Sequence, residues 1–155
     1  MKKNRLMIAI MVVLPLLIGV GSAILTKQMS LEYEGLKLPA LSPPAIVFPI
    51  AWTILYILMG IAAGIIYTSE DSCYRFLGLM FHYMQLVFNF FWSLIFFNMK
   101  NYTFALIWIV LLWLVVLSMI VNFKQVSKTA AILNIPYLVW LTFAGYLNLM
   151  ICILN

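Results

Sequence analysis

Pro43-Pro44-Ala45-Ile46-Val47-Phe48-Pro49-Ile50-Ala51-Trp52-Thr53-Ile54-Leu55-Tyr56-Ile57-Leu58-Met59-Gly60 opens a run that stays free of formal charge from Ala45 to Ser69. It shows none of the alternation of a half-buried strand, and it is longer than the roughly 20 apolar residues that carry a helix across a hydrocarbon core about 30 Å thick. Four further charge-free runs share this character: Leu6–Thr26, Phe76–Met99, Asn101–Phe123 and Thr129–Asn155. The chain as a whole agrees, because 66% of its 155 residues are hydrophobic and only 8% are charged. Soluble domains hold about 25% charged residues, so this exterior cannot be solvated by water. Lipid offers nothing to an open backbone, and each span must satisfy its own N–H and C=O groups as a helix. The fold class is an all-α membrane protein, a single bundle of five transmembrane helices over residues 6–26, 45–69, 74–98, 101–123 and 129–154.

The composition also excludes functions. The net charge of +5 is scattered along the chain and forms no basic face, so nucleic acid is not a partner. The runs contain no Asp, Glu, Lys or Arg, which removes the residues that proton- and ion-coupled transporters relay through. With one histidine and no buried carboxylate, no Ser-His-Asp arrangement fits inside the membrane. Two cysteines and one histidine do not make a metal site. Cys73 falls on the N-terminal side and Cys152 on the far side, too distant for a disulfide, which needs Cα atoms within about 7 Å.

Lys2, Lys3 and Arg5 imitate the basic start of a signal peptide, but the apolar stretch that follows is too long and no small-x-small site closes it. It reads as a retained first helix. Lys2, Lys3, Arg5, Arg75, Lys124 and Lys128 gather on the N-terminal side, against Lys27, Lys37 and Lys100 on the other. The positive-inside rule therefore predicts a cytoplasmic N-terminus.

Most connections are tight turns. Residues 27–44 are the exception, being long, apolar (Leu31, Tyr33, Leu36, Leu38, Leu41) and stiffened by Pro39, Pro43 and Pro44. Loops of this length are usually functional, and this one reads as an ordered cap over one mouth of the bundle.

Helical spacing sorts the faces. His82, Gln85, Asn89 and Trp92 form one stripe of the third helix. Trp52, Tyr56, Gly60, Ala63 and Tyr67 form one on the second, and Tyr137, Trp140, Ala144 and Asn148 one on the fifth. Pro15, Gly19, Ser22 and Thr26 give the first helix a stripe of small residues. The fourth, almost wholly apolar, reads as lipid-facing wall. Large aromatics and a buried amide beside small residues suit a cavity for a flat apolar ligand. The same residues also suit plain helix packing, and spacing alone does not separate the two. Gly60-x-x-x-Gly64 is a packing signal whose partner could lie in this chain or another. His82 could ligate haem iron or serve as a hydrogen-bonded structural histidine. Trp108, Trp113, Tyr67 and Tyr102 need no ligand to explain them.

The quoted stretch from Pro43 to Gly60 resembles the signature of the translocator protein family (TspO/MBR), the bacterial tryptophan-rich sensory proteins and mitochondrial peripheral benzodiazepine receptors. Gln85-x-x-x-Asn89-x-x-Trp92-Ser93-x-x-Phe96-Phe97 and Pro136-Tyr137-Leu138-Val139-Trp140-x-x-Phe143-Ala144-x-x-Leu147-Asn148 are similar to its third- and fifth-helix patterns. The resemblance implies a homodimeric five-helix bundle in a bacterial cell membrane, with a pocket beneath the first loop. That pocket would bind tetrapyrroles (protoporphyrin IX, haem) and synthetic isoquinoline carboxamides, and no cofactor would be required. Carried over, its ligand-binding residues are Tyr33, Pro44, Trp52, Tyr56, Asn89, Trp140 and Ala144. Trp52 and Trp140 would be the tryptophans of a light-dependent porphyrin breakdown; carriage of apolar molecules or ligand sensing are the alternatives. Leu41 and Ile46 stand where the family often has tryptophans beside the Pro-Pro pair. No basic residue follows Tyr146, so sterol recognition of the mitochondrial kind is not expected.

Five spans put consecutive connections on alternate faces. Labelling of single-cysteine variants at Lys37 and Lys128 should mark opposite sides of the membrane; finding both on one side would overturn the topology.

Overall fold

The computed structural model describes residues 2–26, 33 and 35–155. Residues 27–32 and Glu34, which make up much of the cap read over 27–44, lie outside the described residues. The helices are α1 (Lys2–Leu25), α2 (Val47–Tyr67), α3 (Cys73–Ser93), α4 (Tyr102–Val126), α5 (Lys128–Leu133) and α6 (Ile135–Leu154). A π-helical turn, Leu94–Asn98, extends α3. Five segments are long and apolar enough to cross a membrane, with α3 continuing to Asn98 and α5–α6 counting as one span.

Local chemistry sets the ends. Ser72, Asn101 and Ser127 cap α3, α4 and α5, each side-chain oxygen accepting a hydrogen bond from the backbone N–H three residues on. Arg75 closes the turn before α3: its guanidinium pairs with Asp71, donates to the Tyr67 carbonyl at 2.9 Å and lies over the Tyr67 ring. Between α5 and α6 the fifth span is interrupted at Asn134, where the sequence reading had one helix. Pro136 has no N–H to return to the Ile132 carbonyl, so the ladder breaks there, and the Asn134 side chain donates to the Ala130 carbonyl at 2.9 Å instead.

The helices form a ring in the order α1, α2, α5–α6, α4, α3, closed by contact between α1 and α3. The tightest seam joins α1 to α2. A Cβ on Gly60 would stand 2.5 Å from the Val12 Cα, and one on Gly64 2.8 Å from the Ile8 Cα. The Gly60-x-x-x-Gly64 signal is therefore met inside the chain, by α1. Small residues bring two backbones together where dispersion must replace the missing hydrophobic drive.

One reading is corrected. The fourth helix is no mere lipid-facing wall, because Ala105, Ile109, Leu112, Val116, Met119 and Phe123 are each at most 2% exposed and pack between α3 and α5–α6. Its opposite face, including Ile107, Val110 and Leu114, is exposed. Trp108 and Trp113 rivet it to its neighbours through the Phe88 carbonyl (2.8 Å) and the Thr142 hydroxyl (2.9 Å). The polar residues of the stripes on α3 and α6 do face inward: His82, Gln85, Asn89, Tyr137 and Asn148 are all at most 2% exposed.

The seam can be tested at one atom. Gly60→Ala should push α1 off α2 and lower thermal stability in detergent by about 1–3 kcal/mol, the usual cost of overpacking. Gly21→Ala, where a Cβ meets nothing within 4 Å, should leave stability unchanged or slightly raised.

Candidate ligand-binding site

Four segments enclose a cavity of about 250 Å³ in the half of the bundle away from the N-terminus. Leu16, Gly19 and Ser22 of α1 face Phe48, Trp52 and Tyr56 of α2. Asn89, Trp92, Phe96 and Phe97 come from α3 and its π turn, and Ala144, Leu147, Asn148 and Ile151 from α6. Tyr33 of the loop completes it from above. The wall is chiefly apolar and aromatic with a few polar groups, the usual make-up of a small-molecule site. It presents no imidazole, thiol or thioether among the described residues.

A polar chain begins in this wall, at Tyr56 and Asn89, and runs one layer deeper. The Tyr56 hydroxyl donates to Asn89 Oδ1 (3.0 Å), and Asn89 Nδ2 donates to the Tyr137 hydroxyl (3.1 Å). Tyr137 in turn donates to Gln85 Oε1 (2.8 Å), and Gln85 Nε2 ends the chain at the Met59 sulfur (3.4 Å). Each donor meets an acceptor, so the chain runs in one direction through α2, α3 and α6. Trp52 stacks on Tyr56 (centroids 5.5 Å, planes at 30°) and meets Tyr137 edge-on at 6.0 Å. The indole is thereby fixed by two rings whose hydroxyls are themselves fixed. Across the bundle, a Cβ on Gly19 would collide with the Tyr56 ring, so only glycine lets α1 lie against it.

A second polar node closes the far end. Asn148 accepts from the Trp92 indole (3.3 Å) and donates to the Tyr102 carbonyl (2.8 Å), tying α3, α4 and α6 together. The π turn sets its neighbours: one wider turn swings Phe96 and Phe97 onto the cavity wall, and Phe96 stacks on Trp92 at 5.2 Å. Such turns recur at functional sites. The described part of the loop is pinned here too. Asn155 binds both the N–H and the carbonyl of Lys37 (3.0 and 3.2 Å), while Leu36 and Leu38 pack on the cluster around Phe96 and Ile151.

Of the sequence-derived candidates, Tyr33, Trp52, Tyr56, Asn89 and Ala144 line the cavity. Tyr33 meets Phe48 edge-on at 5.0 Å, and its hydroxyl is buried with no partner among the described residues. Trp140 stands behind the wall, edge-on to Trp52 at 6.5 Å and to Phe48 at 6.0 Å. Pro44 is exposed at the approach to α2, outside the cavity. His82 is fully buried a turn below Gln85 and is not part of the wall. Phe48, Phe97 and Leu147 were not singled out as site residues; an apolar residue on an apolar helix carries no mark of which cavity it faces.

Comparison with known proteins agrees over most of the chain. Residues 11–154 match the model of the TspO/MBR family. A tryptophan-rich protein TspO from Chlorobaculum tepidum is 39% identical over all of this chain and 99% of its own length. A tryptophan-rich sensory protein from Cereibacter sphaeroides is 40% identical over 75% of this chain and 72% of its own. A translocator protein from Sus scrofa is 36% identical, covering 75% and 70% respectively.

Breaking the chain at its centre should be costly. Tyr137→Phe leaves Asn89 and Gln85 each short of a buried partner, at about 1–3 kcal/mol. Thermal unfolding in detergent should fall by several degrees, and the near-ultraviolet circular dichroism of the Trp52 environment should weaken. Tyr146→Phe, at an exposed hydroxyl, should change neither.

Proposed function

Because the chain belongs to the TspO/MBR family, we propose that this integral membrane protein binds tetrapyrroles such as protoporphyrin IX and haem, and promotes light-dependent oxidative breakdown of the bound porphyrin. The observation that carries this reading is the cavity itself: an apolar, aromatic-walled space in which Trp52 is held rigidly at the surface. A porphyrin is a flat apolar ring, and stacked aromatic contacts add about 0.5–1.5 kcal/mol each beyond area burial. Synthetic isoquinoline carboxamides, also flat and weakly polar, suit the same walls. At about 250 Å³ the cavity is smaller than a tetrapyrrole, so the macrocycle enters by one edge and the rest lies in the mouth.

The chemistry assigned to this chain is limited. Among the described residues no carboxylate, imidazole, amine or thiol lines the cavity, so the protein holds the ring in an aromatic cage while light supplies the energy. Trp52 touches the ligand, and light drives an electron from its indole through the excited ring to dissolved dioxygen, the oxidant of the breakdown. Trp140, edge-on to Trp52 at 6.5 Å, shares the hole until the ring returns an electron to the indole and combines with the superoxide formed. Indole is far easier to oxidise than phenyl. Carriage of the ligand across the bilayer is the competing reading; it requires release on the opposite side and no change in the ring. A homodimer in a bacterial cell membrane, N-terminus in the cytoplasm, completes the proposal.

Protoporphyrin IX incubated with the purified protein in light and in darkness decides between them. Binding in both conditions with a new product only in light is expected; binding without conversion would favour carriage. Trp52→Phe and Trp140→Phe should retain porphyrin affinity within about tenfold, since only part of one aromatic contact is lost at each. Both should lose light-dependent conversion, whereas Trp108→Phe should keep it. Conversion at the wild-type rate in both variants would reduce these residues to walls.

A further inference from the structure

The cavity has a side as well as a mouth. Along the seam between α1 and α2 the two helices are locked together in one half and parted in the other. Gly60 and Gly64 seat the α2 backbone against Val12 and Ile8, and a turn further on Gly19 lies on the ring of Tyr56. Beyond Tyr56 the cavity lies between them. Val20 and Ala23 of α1 and Pro49 and Thr53 of α2 all line the cavity, yet all four are exposed on the outside of the bundle, Val20 by 57%. Four such residues on two neighbouring helices mark this seam as the thinnest stretch of the wall.

The depth of that stretch identifies its solvent. At 1.5 Å per residue Thr53 lies about 9 Å inside the start of α2, and Val20 about 8 Å inside the end of α1. By the same measure the 21 residues of α2 span about 31 Å, the whole hydrocarbon core. The slot therefore opens among acyl chains, not headgroups or water. Pro15 sits between the two halves of α1 and cannot donate to the Met11 carbonyl, so the ladder that would couple the locked half to the parted half is missing one bond. α1 is also the least buried of the five spans.

We propose that the cavity is loaded laterally from the bilayer through the slot between α1 and α2, and that its ligand is accordingly a molecule dissolved in the membrane rather than delivered from water. This rests on the reading of the cavity as a site for a flat apolar ligand, and it gives the edge of a macrocycle too large for the cavity a place to lie. Val20, Ala23, Pro49 and Thr53 form the frame of the slot. They govern how fast the ligand enters and leaves.

The test uses full-length protein in phosphatidylcholine vesicles and the Soret absorbance of added protoporphyrin IX. A ligand that first partitions into lipid has a membrane concentration set by the porphyrin-to-lipid ratio. Diluting the suspension fivefold at constant ratio should then leave the observed association rate unchanged. A fivefold fall would show entry from water and overturn the proposal. Val20→Trp and Thr53→Trp should fill the slot and slow association and dissociation together, each at least fivefold, while Leu17→Trp on the lipid face matches wild type. Faster dissociation with unaltered association would make these residues wall only, which also overturns it. Should the tryptophan variants fail to fold, or wild type give no Soret shift and so refute porphyrin binding itself, the slot is tested by a fluorophore on Thr53→Cys in a Cys73→Ser, Cys152→Ser background. Lipids brominated along their acyl chains should quench it; quenching by aqueous iodide alone would close the slot to lipid.

Discussion

Everything in this bundle depends on the refusal of hydrocarbon to make hydrogen bonds. A polar side chain that enters it must find its partner inside the protein, and the partner must in turn be satisfied. Tyr56, Asn89, Tyr137 and Gln85 meet that demand by passing donors in a single direction across three helices, ending on a methionine sulfur. Reversing either amide would set two donors against each other. The chain thus sets the register of α2, α3 and α6 against one another, while close packing at Gly60 and Gly64 seats α1.

Function follows from that fixity. The chain starts in the cavity wall, at Tyr56 and Asn89, and runs back to Tyr137 and Gln85 behind it. Trp52 is stacked on one member and edge-on to another, and Trp140 stands edge-on to it from behind. The Asn148 node does the same for Trp92 and Phe96 on the opposite wall. A site made this way selects for shape and aromatic character. Beyond the Gly19–Tyr56 contact the cavity lies between α1 and α2, and Asn98 ties down the end of α1 by a bond to the Leu25 carbonyl.

How far the sequence could be read follows the same division. Charge-free runs and the stripes carrying Gln85, Asn89 and Tyr137 were legible because polar atoms in an apolar helix mark the inside unambiguously. The fourth helix was misread because it has no such mark: Ile109, Leu112 and Val116 are chemically indistinguishable from the lipid-facing Ile107, Val110 and Leu114, and only packing tells them apart. The break at Asn134 was foreshadowed by Pro136, yet charge and hydropathy run straight through it. The π turn at Leu94–Asn98 leaves no compositional trace, so Phe97 could not be aimed at the cavity in advance. Trp140 was read only as facing the interior; it stands edge-on to Trp52 one layer behind the wall, a depth helical spacing does not show because it gives a residue's face and not its distance from the axis of the bundle.

The central claim is that the internal polar chain and the ligand cavity are one structure. Solid-state NMR of the protein in vesicles, with the side-chain amides of asparagine and glutamine labelled, reads both at once. Adding protoporphyrin IX should shift the Asn89 and Gln85 amide resonances through Tyr56 and Tyr137, and leave that of Asn122, whose amide bonds within α4, where it was. Binding that moves Asn122 while Asn89 and Gln85 stay unperturbed would place the ligand on the outside of the bundle and contradict the account.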